Sequence, residues 1–365
     1  HAVARHNLPG GLPTLVGRND EIAALDALCV DHRVVSLLGP GGMGKSHLAI
    51  AFGRFILQRY GAGIWFCGLA EVRSAEGIVQ AVSSALAIPL LATENLQELV
   101  DQLGRAIAYR GRIMVILDNF EQVTDHADAT VARWSEMAPE ATFVITSRNR
   151  LHVRGESVFR LGPLSVDAGA KLLEDAWGER GLKADGKSVL RRIAERLEGI
   201  PLALTLAASR GRLLSPNQVE QRLDKRLSWR SGQSGTLRAT IAWSWDLLEP
   251  WEFEAMVQLA TFQGGFRIDA IEQVLELPRD APPLLDVVAD LLDKSMLRSW
   301  LPAELSDEQR FGMYETVREF ALEKLEGDVC CVQFLDRHAD WALADAERFA
   351  AATKGSGVLL AAARL

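Results

Sequence analysis

Between Val34 and Leu161, short apolar, β-branched runs alternate with longer segments of helical period. The runs at 34–38, 63–66, 112–117, 142–146 and 157–161 are the expected strands, and their alternation with helices predicts a parallel sheet flanked by helices. After Pro163 the period changes. Segments 166–179, 187–197 and 201–213 read as consecutive amphipathic helices, which implies a helical subdomain packed on the α/β unit. A polar stretch at 229–235 marks a boundary or loop. Helices at 237–248, 250–259, 268–275 and 283–294 then precede two strand-like pieces, 296–300 and 311–314, separated by the polar segment 302–309. Helices followed by a β-hairpin suggest a winged helix. Further helices are expected at 315–325 and 332–351. The organisation is therefore a linker at 1–13, an α/β domain at 14–165, a helical subdomain at 166–228, a winged-helix domain at 229–326 and the start of a C-terminal helical region at 327–365.

Composition narrows the class. The 365 residues suffice for two to three domains with cores of their own. Hydrophobic residues make up 48% and charged residues 24%, which suits a folded chain and excludes intrinsic disorder. With 40 basic against 48 acidic side chains, a net charge of −8, nucleic acid is not the expected partner. No run approaches the roughly 18 apolar residues of a membrane-spanning helix, so no membrane partner is expected. Cys29, Cys67, Cys330 and Cys331 show no metal-ligand spacing, and the adjacent Cys330 and Cys331 are poor disulfide partners; a reducing, cytoplasmic location fits. Residues 1–13 lack a signal-peptide layout and start without Met, so they read as a linker from something upstream, and further helices are expected beyond Leu365.

The strongest chemical signal is the run Gly39, Pro40, Gly41, Gly42, Met43, Gly44, Lys45, Ser46, which matches G-x-x-x-x-G-K-[ST] between an apolar strand and a helical pattern at 45–59. Glycines allow a tight turn whose N–H groups point at phosphate oxygens, and the helix that follows adds its positive end. Lys45 is expected to reach the β- and γ-phosphates and Ser46 to ligate Mg²⁺. The backbone of His47 is expected to approach the α-phosphate while its imidazole faces solvent. The strand ending in Asp118 has the Walker B form, making Asp118 a second Mg²⁺ ligand; its other reading is a turn or capping residue. Asn119 follows, an amide that cannot act as a base, so Glu121 is the nearest carboxylate to position water, set against a plain solvated acid. Arg148, after the strand ITS, reads either as a sensor of the γ-phosphate or as a surface arginine. The catalytic candidates are Lys45, Asp118, Glu121 and Arg148. The lack of an N-K-x-D motif favours adenine over guanine.

In this order the motifs resemble the NB-ARC branch of the STAND ATPases, relatives of AAA+ proteins, over about residues 15–325. LVGRNDEI, beginning at Leu15, is similar to the element that borders the adenine, which implies Val16 and Arg18. EGIPLAL, beginning at Glu198, is similar to the GxP motif, which implies that Pro201 packs on the base. TLRATIAWSWDLL and TFQGGFRIDAIEQV resemble the family's winged-helix opening. MYETVREFALEKL aligns with the M-H-D element, whose histidine meets the β-phosphate of ADP; that position is Tyr314, whose hydroxyl can still donate, and a packed aromatic at a strand end is the other reading. Asn119 stands where eukaryotic members carry a second acid, which implies slow hydrolysis.

The expected fold is an α/β P-loop nucleotide-binding domain with an AAA+-like parallel sheet, followed by a helical subdomain and a winged helix. The expected function is a switch that is closed with ADP and open with ATP, with Mg²⁺ as cofactor and slow ATP hydrolysis. The resemblance alone implies self-association in the ATP state, an upstream effector and a downstream sensor within a larger bacterial regulator. A second reading is a DNA-binding initiator or loader, against which segment 283–294 carries Asp286, Asp290 and Asp293 with Lys294 as its one cation. A third is a nucleotide-binding scaffold that never hydrolyses. Trp243, Trp245 and Trp251 read as core and interface anchors, and His152 and His338 lack ligand-spaced partners.

Overall fold

The computed structural model describes residues 5–93, 95–177, 186–227, 233–262, 264–302, 308–325 and 331–353. The expected boundary at 229–235, the polar segment 302–309 and the expected division at 326–327 lie wholly or largely outside them.

Five parallel strands, β1 (Val34–Leu38), β2 (Ile64–Gly68), β3 (Met114–Asp118), β4 (Thr142–Ser147) and β5 (Glu156–Arg160), form one sheet in the order β2-β3-β4-β1-β5. Strands β1, β3 and β4 are buried along their length because helices cover both faces. Side chains alternate between two cores. Val35, Leu37, Met114, Ile116 and Val144 face α1 (Asn19–Asp31) and α2 (Lys45–Ile56). Val34, Val115, Leu117, Phe143 and Ile145 face α3 (Ala75–Ala85), α4 (Leu96–Arg110) and α5 (Arg133–Met137). The strand order brings together the carboxyl ends of β1, β4 and β3, with Leu38 beside Ser147 and Leu117 beside Ile145. In an open parallel sheet this is the edge where ligands bind.

Four helices follow, α6 (Val166–Trp177), α7 (Gly186–Arg196), α8 (Pro201–Ala208) and α9 (Pro216–Leu227). The segment expected as one helix at 201–213 instead ends at Ala208 and tightens into a 3₁₀ turn over Ser209–Arg212. Helix α9 was not expected, because PNQVEQRLDKRL shows little apolar period; Val219 and Leu223 are its buried anchors. Next come α10 (Gln233–Trp245), α11 (Pro250–Leu259), α12 (Ile268–Val274) and α13 (Leu284–Asp293). An antiparallel pair, β6 (Arg298–Trp300) and β7 (Arg310–Gly312), is joined by an isolated bridge from Phe266 to Phe311. Helices α14 (Glu315–Leu325) and α15 (Cys331–Thr353) complete the described chain. Trp243 and Trp245 are buried, and Trp251 packs against the same core.

Residues 5–10, expected as linker, are docked. His6 bridges to Ile64, and the Asn7 side chain donates to the Phe66 carbonyl and accepts from its N–H. Leu8 is buried in the core, and Gly10 bridges to Leu301. Among the described residues no helix is long and apolar enough to cross a membrane.

Candidate functional site

The turn from β1 into α2 sits at the carboxyl edge of the sheet. Gly42 and Gly44 have φ of +79° and +85°, a left-handed backbone that a β-carbon disfavours. Crowding adds a second reason for glycine. A β-carbon on Gly39 would stand 2.9 Å from the Leu161 carbonyl oxygen, one on Gly41 2.3 Å from Thr316 Cγ2, and one on Gly42 2.9 Å from Leu237 Cδ2 and 3.1 Å from Leu202 Cβ. The Gly42 carbonyl also accepts from the Leu202 N–H at 3.1 Å. Parts of α8, α10 and α14 therefore close over one glycine cradle. Pro40 is exposed, whereas Met43 is buried beneath the loop.

Lys45 is 8% exposed, and its ammonium donates to the carbonyls of Gly39 at 2.8 Å and Pro40 at 3.1 Å. Burial lowers its pKa, while the carboxylates of Glu121 and Asp118 pull it back up. Ser46, next on α2, is half-buried. The His47 imidazole, expected in solvent, instead hydrogen bonds the Pro13 carbonyl at 2.8 Å, and burial lowers its pKa.

Asp118 ends β3 buried, where its carboxylate accepts from the Thr146 hydroxyl. The same hydroxyl oxygen accepts from the Asn119 N–H at 3.0 Å, and Asn119 itself has φ +61°. Thr146 thus orients the end of the Walker B strand. Its position in ITSRNR was the available signal, but the pattern drew attention to Arg148. Glu121 is buried enough to raise its pKa, with Lys45 and Arg148 opposing. Its Oε1 lies 3.3 Å from Arg148 Nε without hydrogen-bond alignment, and its buried Oε2 has no hydrogen-bond partner. Arg148 Nη2 donates to Glu319 Oε1 at 2.6 Å.

Of the remaining candidates, Arg18 and Pro201 stand beside the loop. Arg18 is 4% exposed; it pairs with Glu21 at 2.6 Å, donates to the Gly162 carbonyl at 2.8 Å, and lies 3.5 Å from the Met43 carbonyl. It braces the phosphate loop against the segment after β5. Val16 is half-buried. Pro201, also half-buried, opens α8 immediately before the residue that bonds Gly42. Tyr314 packs on the core with the Arg298 guanidinium 5.7 Å from its ring centroid, and burial raises its pKa. The side chain against Gly41 is that of Thr316, whose buried hydroxyl has no hydrogen-bond partner. No sequence pattern pointed to Thr316 or Glu319, because both act across a long chain separation.

The cradle, the buried cation and the carboxylates at one sheet edge fit a magnesium-bound polyphosphate. Among the described residues no group of three or more His, Cys, Asp or Glu is arranged for a metal. Two open cavities lie elsewhere. One of about 290 Å³ sits at the opposite end of the strands, between Arg33, Tyr60, Arg112 and Thr142; one of about 530 Å³ lies beside α4, lined by Leu90, Leu91 and Tyr109. Neither is lined by residues of the loop.

The sequence matches no protein-family model. It is 31% identical over 340 residues to the uncharacterized protein Rv0894 of Mycobacterium tuberculosis, a match covering 89% of this chain and 83% of that protein. The chain belongs to the Rv0894 family. A second Mycobacterium tuberculosis protein, provisionally named HTH-type transcriptional regulator Rv0890c, is 32% identical over 329 residues, which are 86% of this chain and 36% of that longer protein. The crystal structure of a STAND protein with a tetratricopeptide-repeat sensor from Pyrococcus horikoshii is similar in fold, with a TM-score of 0.61 at 16% identity over 98% of this chain and 51% of that one. This member of the Rv0894 family thus shares its fold with that STAND protein.

Proposed function

We propose that the chain is a nucleotide-controlled switch of the NB-ARC type. ADP would hold the compact form, and ATP would shift the population toward an open form able to self-associate. One observation carries this reading: Leu202, Leu237 and Thr316, from three separate parts of the chain, all meet the glycines of the phosphate loop. A ligand moves a conformational equilibrium only by its difference in affinity for the two forms, and separation of α8, α10 and α14 from the loop would provide that difference. Helices α10 to α14 with the β6–β7 pair would be the winged-helix domain, and α6 to α9 the helical lid. Lys45, the loop amides and Arg148 would bind the phosphates, Val16, Arg18 and Pro201 would border the adenine, and Tyr314 would stand near the β-phosphate. Mg²⁺ at Ser46 and Asp118 would supply charge neutralisation. Glu121 would orient water for slow transfer of the γ-phosphoryl group to give ADP and phosphate.

Rv0890c, through its name, supports placement in a larger transcriptional regulator, with effector and sensor parts outside this chain. Groove binding by α13 is disfavoured by Asp286, Asp290 and Asp293. The test is chromatography of the nucleotide released when the purified protein is denatured. Stoichiometric ADP is expected. Protein that carries no nucleotide and takes up none from added MgADP would contradict the reading.

A further inference from the structure

Glu319 reaches from α14 to the end of the sheet, where its Oε1 accepts from Arg148 Nη2 at 2.6 Å. On the other side Arg148 Nε stands 3.3 Å from Glu121 Oε1, so two carboxylates share one guanidinium. The guanidinium also stands over the phosphate loop: its Nη2 is 3.6 Å from the β-carbon position of Gly41. Asp118, Glu121, Glu315 and Glu319 act on Lys45 or Arg148 or both, and Arg148 also repels the Lys45 ammonium. Two of the four, Glu315 and Glu319, belong to α14 and arrive only when it is docked.

We propose that Glu319 makes the compact form selective for a nucleoside diphosphate over a triphosphate. This deepens the switch reading and rests on it. A third phosphate adds negative charge that competes with Glu319 for the Arg148 fork and is repelled by the same carboxylate. A diphosphate makes neither demand. Triphosphate therefore favours forms in which α14 has withdrawn Glu319, whereas diphosphate leaves the pair intact. Glu319 is 44% exposed at its side chain, so solvent screens the effect, and the preference is graded, not absolute.

The test is titration calorimetry of the 365-residue chain with MgADP and with a magnesium-bound non-hydrolysable ATP analogue. The proteins compared are wild type, Glu319→Gln and Glu323→Gln; Glu323 lies on the same helix as Glu319 and pairs with Arg238 of α10. Glu319→Gln is expected to raise triphosphate affinity relative to diphosphate about tenfold, and Glu323→Gln to leave the ratio at its wild-type value. An unchanged ratio in Glu319→Gln, with both nucleotides bound, overturns the selector and leaves the switch. An equal shift in Glu323→Gln assigns the effect to a loosened helix and overturns it too. A wild-type chain that binds neither nucleotide overturns the selector and the switch together.

Discussion

Thr316 Cγ2 stands 2.3 Å from the point that a β-carbon on Gly41 would occupy, so the first turn of α14 rests directly on the phosphate loop. The contact joins residues 275 positions apart, and it leaves no room for a larger side chain at Gly41. Gly41→Ala should lift α14 while the sheet stays folded. Hydrogen exchange should then be at least about tenfold faster for the amides of α14 than in wild type, with β1 and β3 unchanged. Unaltered α14 protection would show that the contact relaxes without undocking.

The Thr316 hydroxyl is buried without a partner, and an unsatisfied buried group costs about 1–3 kcal/mol. Thr316→Val removes the group and keeps the shape. Denaturant unfolding should give a stability equal to wild type or higher by up to ~1 kcal/mol. A loss of stability would reveal a hydrogen bond made in solution.

Thr146 serves Asp118 and the Asn119 N–H with one hydroxyl. Thr146→Val should orphan both and destabilise the fold by about 1–3 kcal/mol. It should also weaken the magnesium dependence of nucleotide binding, because Asp118 loses its orientation. Calorimetry with and without Mg²⁺ measures this, and full retention of the dependence would remove Thr146 from the site.

Burial raises the Glu121 pKa, outweighing Lys45 and Arg148. A carboxyl that holds its proton more tightly when folded contributes stability below its unfolded pKa and loses that contribution as pH rises through the folded value. Ionised Glu121 therefore costs stability at neutral pH and above. Glu121→Gln should raise Tm at pH 8 by roughly 1–2 °C, with the gain gone below the ordinary carboxylate range. A lower Tm at pH 8 would mean that pairing with Arg148 outweighs burial.

The sheet was legible because β-branched runs such as Val34–Leu38 carry their own period and are bounded by turn residues. The phosphate loop was legible because eight residues in a row, Gly39 to Ser46, state the whole device. The polar helix α9 was not, since buried side chains as sparse as Val219 and Leu223 make too short a pattern to separate from a loop. Motif alignment reached Tyr314, whereas the side chain pressed on Gly41 is two positions further on, a distinction set by how α14 starts. Glu319 could not be found at all from sequence, because its meaning lies in Arg148, 171 positions away.

The central claim is that the loop around Lys45 binds a magnesium adenine nucleotide. Titration calorimetry of MgADP into wild type and Lys45→Ala tests it most directly. One saturable site is expected in wild type, weakened about 10- to 100-fold in Lys45→Ala by loss of a charge-assisted contact. No binding heat in wild type, or the same affinity in both proteins, would contradict the claim.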